Sequence, residues 1–300
     1  MKRKLFLYIA LLTATLYTGC GKDNNGQGPE KPQVENPGSS KTDKEKITGA
    51  AWETQKLSEA ISWRYCPFTD LFSSRQSVTV FDVDLSHSKL MVDIPFVRTG
   101  AFIKTSEAAV NVKATAAING SYFNTTAGGS TVFFKKNGQI ITRTVSGFTP
   151  YRENAGFAID NTGKVSIVKR PTSGWEAIDP YTLLVSGPLL MFDGKAIEQV
   201  NETFTKERNP RTAVGITKDN HLIAVVVDGR ATEAAGMTTP ELALLMEALG
   251  CQSAMNLDGG GSSTAWVKGR GVVSYPSDNN KFDHDGERAV ATVISFIMKD

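Results

Sequence analysis

Three short polar turns between apolar runs of strand length constrain the fold of this chain more than any other feature. Asn137-Gly138 lies inside the run 132–141, and an Asn-Gly pair suits the type I′ turn that joins two antiparallel strands. The segments 156–168 and 212–227 repeat the pattern, each with a polar turn near its middle. The sequence therefore predicts three β-hairpins, and with them sheets that contain antiparallel neighbours.

Two further strands and a short helix are predicted nearer the N-terminus. The alternating segments 78–85 and 89–96 are expected to pair around the polar turn 86–88. Ser106 is a typical helix N-cap, and a short helix that begins there would end near Asn111. The apolar run that follows this helix is expected to form a buried strand.

One longer helix is predicted after residue 238. Thr239 is expected as the N-cap, Pro240 at the first helical position and Gly250 just past the C-terminus. Apolar residues recur at helical spacing and are expected to face a core: Leu242, Leu245, Met246 and Leu249. Because strands dominate and helices are few, the predicted class is α+β, a single domain of mixed or largely antiparallel sheets with a few flanking helices.

The first fifty residues have the composition of a targeting segment followed by a linker. A basic start precedes an apolar run that is too short for a membrane span. Gly19 comes directly before Cys20, as at the cleavage site of bacterial lipoproteins; an ordinary signal peptide with an incidental cysteine is the alternative. We therefore predict a signal peptide over 1–19, a lipidated Cys20 with a disordered tether over 20–50, and the catalytic domain over 51–300. The predicted location is the bacterial cell envelope, with a lipid anchor on the periplasmic or the cell-surface face.

Charge and cysteine content narrow the expected partners. The chain has 33 basic and 31 acidic residues, and three of the basic ones lie before residue 20. Without that segment the net charge is about −1, which gives no reason to expect a nucleic-acid partner. Beyond Cys20 only Cys66 and Cys251 remain, and the sequence leaves open whether they pair or stay as free thiols.

The segment 256–262, Asn-Leu-Asp-Gly-Gly-Gly-Ser, is the strongest indication of a binding site. An apolar run ends at Asp258, and three glycines then expose the backbone and allow another group to approach closely. One interpretation is a tight turn at a strand end, capped by Asp258. The other is a loop whose amides and single carboxylate hold an anionic or sugar substrate.

Three other apolar runs end in residues suited to chemistry. Asn119 ends the first run and is followed by Tyr122; Pro210 fixes the backbone before Arg211, whose planar fork suits a phosphate or carboxylate; a third run ends at Asp228. Each also has a purely structural interpretation. These are, in turn, a loop with core aromatics, a surface salt bridge and an Asx turn.

In combination, these segments resemble the phosphodiester glycosidase family between residues 78 and 298. The animal member of that family removes a terminal N-acetylglucosamine to uncover mannose 6-phosphate. The order and spacing of six motifs carry the resemblance: Asn-Gly-Ser-Tyr-Phe (119–123), Ser186-Gly187-Pro188, Asn-Pro-Arg-Thr (209–212), Asp-Gly-Arg (228–230), Asn-Leu-Asp-Gly-Gly-Gly-Ser (256–262) and Glu-Arg-Ala-Val (287–290).

The resemblance implies hydrolysis of a sugar-1-phosphodiester at the glycosidic C–O bond, on surface or envelope glycans. Asp228 and Asp258 would form the carboxylate pair of a glycoside hydrolase, and Arg211 would neutralise the phosphate. Which aspartate has which role is left open. The residues expected to contact the substrate are Asn119, Gly120, Tyr122, Gly187, Arg230, Asn256, Gly259, Gly260, Gly261 and Ser262.

Two other functions remain open at this point. The same aspartates suit a divalent cation, Ca²⁺ or Mg²⁺, in a metal-assisted phosphodiesterase that cuts the P–O bond. A surface lipoprotein that binds glycans without cleaving them is the second. No metal ligand is assigned, since the acidic loop 278–287 departs from the EF-hand pattern and is predicted to be solvated. The expected partners are a phosphoglycan or other sugar phosphodiester and, through Cys20, the membrane.

Overall fold

The computed structural model describes residues 41–299, and the chain from Lys41 onward forms one compact unit. The predicted signal peptide, the lipidated Cys20 and most of the tether lie outside the described residues. Within residues 41–299, no helix is both long enough and apolar enough to cross a membrane. The named strands in this part of the chain pair antiparallel throughout.

The largest sheet has eight strands and carries most of the segments that the sequence singled out. In spatial order they are β1 (Glu53–Lys56), β2 (Ile61–Leu71), β3 (Ser74–Asp84), β15 (His221–Val227), β14 (Arg211–Thr217), β16 (Cys251–Asn256), β12 (Leu189–Phe192) and β13 (Lys195–Ala196).

Two five-stranded sheets and one two-stranded ladder complete the β structure. The first contains β10 (Val165–Lys169), β9 (Ala155–Ile159), β11 (Thr182–Ser186), β7 (Phe134–Lys136) and β8 (Gln139–Thr142). The second contains β18 (Gly271–Val272), β17 (Ala265–Val267), β6 (Ala116–Asn119), β20 (Val293–Met298) and β4 (Leu90–Asp93). The ladder pairs β19 (Ala289–Val290) with β5 (Ile103–Lys104).

The helices are short and lie outside the sheets. They are α1 (Asp43–Thr48), α2 (Thr105–Asn111), α3 (Thr203–Lys206) and α4 (Thr239–Ala248), with 3₁₀ turns at Pro150–Glu153, Trp175–Ala177 and Gly260–Ser262.

The core is a sandwich, because side chains alternate between the two faces of each strand. One face of the eight-stranded sheet packs against both five-stranded sheets, and Phe81 and Val226 there meet Phe157 and Phe296. The opposite face is covered by α1 and α4. The predicted α+β class with largely antiparallel sheets and a few flanking helices is thus confirmed for the described residues.

The three predicted hairpins are present, and the fourth predicted pairing is wrong. β7 and β8, β9 and β10, and β14 and β15 form antiparallel pairs, and Asn137 and Gly138 both have positive φ as a type I′ turn requires. The segments 78–85 and 89–96 do not pair with each other. Instead β3 pairs with β2 and β15, while β4 pairs with β20 in another sheet.

Helix ends differ from the prediction by one or two residues. The N-cap of α4 is Thr238, whose hydroxyl accepts from the Glu241 amide, and Gly250 follows the C-terminus with φ 90°. Helix α2 begins before Ser106, because the amide and hydroxyl of Ser106 both donate to Glu287. Both helices were otherwise placed correctly.

Order begins earlier in the chain than the predicted tether over 20–50 allows. Helix α1 lies inside that range, and its N-terminus has a capping box in which Thr42 and Glu45 bond reciprocally. Its Ile47 is buried against the face of the sheet that also holds α4. A single apolar anchor in a polar segment was not visible as a core residue in the sequence. Cys66 and Cys251 are both buried free thiols.

Candidate active site

Antiparallel pairing brings the sequence motifs to one end of the sandwich. Arg211, the first residue of β14, pairs with Val227, the last residue of β15. On the other side of β14, Ala213 pairs with Asn256, the last residue of β16. In the adjoining sheet, β6 also ends here at Asn119, whose side chain reaches the loop that follows β16.

A small recess opens at this end of the molecule. Its volume is about 220 Å³, below the roughly 300–1,000 Å³ of pockets that hold drug-sized ligands. It therefore suits one sugar ring or one phosphate better than a long oligosaccharide. The residues that line this recess are Phe204, Asn209, Arg211, Arg230, Asp258, Gly259, Gly260, Gly261 and Arg288.

Asp258 is the only carboxylate among the residues that line the recess. Its backbone is fixed on both sides, because its amide donates to the Gly120 carbonyl at 3.2 Å and its carbonyl accepts from Asn119 at 2.8 Å. Its carboxylate accepts from the Gly259 amide at 3.0 Å. Burial raises the pKa of Asp258, and the nearby Ser262 hydroxyl offsets part of that rise. The group is thus a partly exposed acid with its ionisation moved towards neutral pH.

The three glycines after Asp258 are required by close packing. A Cβ at Gly259 would lie 2.6 Å from the Pro210 carbonyl oxygen, and one at Gly261 would overlap Asp278. Gly260 has φ 61°, and its amide donates to the Pro210 carbonyl at 2.8 Å. The amides of Gly259 and Gly260 thus already have acceptors inside the protein, and their predicted contact with substrate stays a prediction.

Arg211 is a buried arginine with one side turned to the recess. Its Nε donates to the Met237 carbonyl at 2.9 Å, and its Nη2 donates to the Phe204 and Glu207 carbonyls at 2.7 and 2.9 Å. Burial lowers the pKa of Arg211 to about 10, so it remains a cation at neutral pH. The alternative of a surface salt bridge is wrong, since the side chain is buried and bonded to carbonyls instead.

Asp228 lies at the same end of the sheet but on its other face. Arg211 and Val227 are cross-strand partners and share the face covered by α4, so Asp228, the next residue, points the opposite way. Its carboxylate accepts from the Ser77 hydroxyl at 2.6 Å and from the Tyr275 amide at 2.8 Å. It is buried and does not line the recess. Its predicted pairing with Asp258 stays a prediction.

Several predicted substrate contacts form a bonded support behind the recess. The Asn119 carboxamide oxygen accepts from Thr212 and Thr264, and its nitrogen holds the loop after β16. Burial raises the pKa of Tyr122 to about 12, so its hydroxyl stays protonated and donates to the Gly187 carbonyl at 2.6 Å. The same hydroxyl and carbonyl both accept from Asn256 at 3.0 Å.

Four arginines surround the single acid, and sequence reasoning assigned roles to only two of them, Arg211 and Arg230. Arg288 lines the recess and is gripped by Asp278, to which Nε and Nη2 both donate at 2.6 Å. Arg152 lies over the rings of Tyr122 and Phe204, 4.2 and 4.6 Å from their centroids. Arg288 stood in a recognised motif, whereas Arg152 lies in a 3₁₀ turn without any pattern.

This charge distribution favours an anion. Among residues 41–299, no cluster of three or more His, Cys, Asp or Glu side chains has the arrangement of a metal site. The acid in the recess faces guanidinium groups, which would repel a divalent cation. A bound Ca²⁺ or Mg²⁺ therefore does not fit the residues around Asp258.

The comparison with known proteins agrees with the motifs. Residues 112–297, more than half of the chain, match the family model described as phosphodiester glycosidase. The chain belongs to the phosphodiester glycosidase family.

Relatives of this phosphodiester glycosidase cover only part of their own length in the comparison. It is 33% identical over 145 residues to the mouse N-acetylglucosamine-1-phosphodiester alpha-N-acetylglucosaminidase, a match over 42% of this chain and 27% of that protein. It is 33% identical over 93 residues to the SPbeta prophage-derived uncharacterized protein YomE of Bacillus subtilis, covering 31% of this chain and 13% of that protein.

Solved structures share the fold of this phosphodiester glycosidase. The catalytic domain of the zebrafish N-acetylglucosamine-1-phosphodiester alpha-N-acetylglucosaminidase, auto-inhibited by its pro-peptide, superposes with a TM-score of 0.63 at 24% identity. That superposition covers 83% of this chain and 88% of the zebrafish chain. A hypothetical protein from Synechocystis gives a TM-score of 0.62 at 14% identity, over 83% of this chain and 64% of that chain.

Asp228 gives a prediction about stability and pH. Burial raises its pKa from 3.8 to about 6, so the folded protein binds this proton more tightly than the unfolded chain does. Stability from this group is present at low pH and is lost as the pH rises from about 4 to about 6, by up to roughly 3 kcal/mol. Asp228→Asn should remove that loss, as urea unfolding of both proteins at pH 4, 5, 6 and 7 would measure. Parallel stability curves for the two proteins would contradict this account.

Proposed function

We propose that this protein hydrolyses a sugar-1-phosphodiester at the glycosidic C–O bond. One observation carries the proposal: a single partly exposed carboxylate, Asp258, lies in a small recess whose other charged residues are arginines. A phosphodiester carries one negative charge beside an uncharged sugar. A recess with several cations and one acid matches that combination of groups.

Arg211, Arg230 and Arg288 would hold the phosphate. Guanidinium groups bind phosphate oxygens through paired N–H donors, and these three approach the recess from different elements of the fold. When the C–O bond breaks, the phosphate leaves as a monoester and gains negative charge. Cations that are already fixed in place stabilise that charge without reorganising during the reaction. Arg211 and Arg288 are fixed in this way by the carbonyls and by Asp278.

Asp258 would act at the sugar carbon. In its ionised form it either attacks C1 or removes a proton from a water molecule that attacks C1, and the bond from C1 to the phosphate oxygen then breaks. A phosphate monoester is a good leaving group, so no second acid is needed to protonate it. In this proposal Asp228 holds the end of β15 to Ser77 and Tyr275, and Asp258 carries the chemistry.

The sugar in the proposed substrate is N-acetylglucosamine. The mouse and zebrafish relatives are named for the removal of that sugar from a 1-phosphodiester, which supports the same sugar here. The proposed setting is the bacterial envelope, where a lipid anchor at Cys20 would bring the domain close to surface phosphoglycans. Globomycin-sensitive processing and palmitate labelling, lost in Cys20→Ala, would test the anchor separately.

The position of bond cleavage is the direct test of this function. Hydrolysis of an N-acetylglucosamine-1-phosphodiester in ¹⁸O-labelled water is expected to place the label on C1 of the released sugar, as mass spectrometry would detect. Label in the phosphate would mean P–O cleavage and would favour the metal-assisted phosphodiesterase. Tight binding without any release of sugar would instead favour a glycan-binding protein.

A further inference from the structure

A second groove joins the recess at Arg288. It has a volume of about 450 Å³ and is lined by Phe102, Phe123, Thr125, Arg288 and Ala289. Arg288 also lines the recess that holds Asp258, so one guanidinium forms a wall of both. We call this second space the Phe102 groove. No residue of the Phe102 groove except Arg288 has a role in the hydrolysis described above.

The Phe102 groove has an apolar floor and a polar border. The Phe102 side chain is 41% exposed, although it is a large apolar group. Its ring meets that of Phe123 at 6.1 Å and 77°, an edge-to-face contact that holds both rings in place. Thr125 and Arg288 supply polar groups beside these rings. An exposed aromatic with such a border is typical of a binding surface.

Arg288 is a fixed divider between the two spaces. Both oxygens of Asp278 accept from it at 2.6 Å, which sets the plane of the guanidinium. A phosphate bound to Arg288 has two substituents, the sugar and the alcohol. If the sugar lies on the Asp258 side, the alcohol extends from the phosphate towards Phe102.

We propose that the Phe102 groove binds the alcohol group of the phosphodiester and selects an uncharged ring over a small alkyl group. This inference rests on the proposed function. The flat face of a saturated or sugar ring presents C–H groups that pack on Phe102, and Thr125 and Arg288 lie where ring hydroxyls would meet them. A methyl ester would leave the aromatic face in water. Covering one aromatic face is worth roughly tenfold in affinity.

Three diesters of N-acetylglucosamine 1-phosphate test this inference, with methanol, cyclohexanol and the 6-hydroxyl of methyl glucoside as alcohols. The wild-type kcat/KM is expected to be about tenfold higher for the ring diesters than for the methyl diester. Phe102→Ala should lower the ring-to-methyl ratio to about one, and Phe102→Trp should keep it high. Tyr181→Ala removes an aromatic of similar exposure elsewhere and should keep the wild-type ratio.

An equal ring-to-methyl ratio in wild type and Phe102→Ala would overturn the inference, as would a wild-type ratio near one. Failure of the proposed function is a separate outcome, in which none of the three diesters is hydrolysed. In that case the same ratio is measured as dissociation constants by calorimetry. Loss of ring preference in Phe102→Ala supports the inference there too, and an unchanged ratio overturns it.

Discussion

Asp258→Asn is expected to lower kcat by about a thousandfold or more without unfolding the protein. The substitution removes the one carboxylate that faces the recess, and with it the nucleophile or base at C1. The fold should persist, because the backbone of residue 258 is held by Gly120 and Asn119 and an asparagine oxygen still accepts from the Gly259 amide. Release of N-acetylglucosamine from its 1-phosphodiester measures kcat, and thermal unfolding measures the fold.

Asp228→Asn is the matched control for this prediction. It makes the same chemical change at the other acid of the strand ends, whose carboxylate is bonded to Ser77 and Tyr275 on the opposite face of the sheet. Its kcat is expected to stay within tenfold of the wild type. Normal turnover by Asp258→Asn would refute the proposed mechanism. A loss of turnover in Asp228→Asn as large as that in Asp258→Asn, in a folded protein, would restore the carboxylate pair.

The hairpins were predictable because everything that forms them is local. Asn137-Gly138 and its neighbouring strands lie within ten residues, and the turn residues themselves fix the register. The partner of β3 is not local, since β15 lies more than 130 residues later in the chain. Alternation in 78–85 indicates a strand but contains no information about its partner, so the nearest strand was chosen wrongly.

The site was predictable in its outline and not in its faces. Apolar runs that end in polar residues indicated which strand ends matter, and Asp258 and Arg211 do line one recess. Whether Asp228 also faces that recess depends on the register of β14 and β15, because a shift of one residue moves a side chain to the other face. That register is a property of the packed sheet, which no single strand encodes.

The arginine that sequence reasoning missed lacked any local pattern. Arg152 follows a proline in a 3₁₀ turn, and it is brought near the site by aromatic rings from two other segments, Tyr122 and Phe204. Its Nε is buried and has no bonding partner among residues 41–299. Only the folded chain shows that four cations converge on one acid.

Arg211→Gln and Arg230→Gln are expected to impair catalysis alike and stability very differently. Each removes one cation from the recess, and the loss of a charge-assisted contact with phosphate should lower kcat/KM by about ten- to a hundredfold. Only Arg211 is buried, and its loss leaves the carbonyls of Met237, Phe204 and Glu207 without their donor. The free energy of unfolding should fall by roughly 2–4 kcal/mol in Arg211→Gln.

Arg230 supplies the comparison because it is exposed and bonds only to the Asn209 side chain, at 3.0 Å, within the described residues. Its replacement should change the free energy of unfolding by less than about 0.5 kcal/mol. Urea unfolding and kcat/KM on one N-acetylglucosamine-1-phosphodiester, measured for both variants, separate the two effects. Equal destabilisation would show that the carbonyl contacts of Arg211 contribute little to the fold. Unchanged kcat/KM in both variants would show that neither guanidinium binds the phosphate, and the recess would then lose its main claim to be the active site.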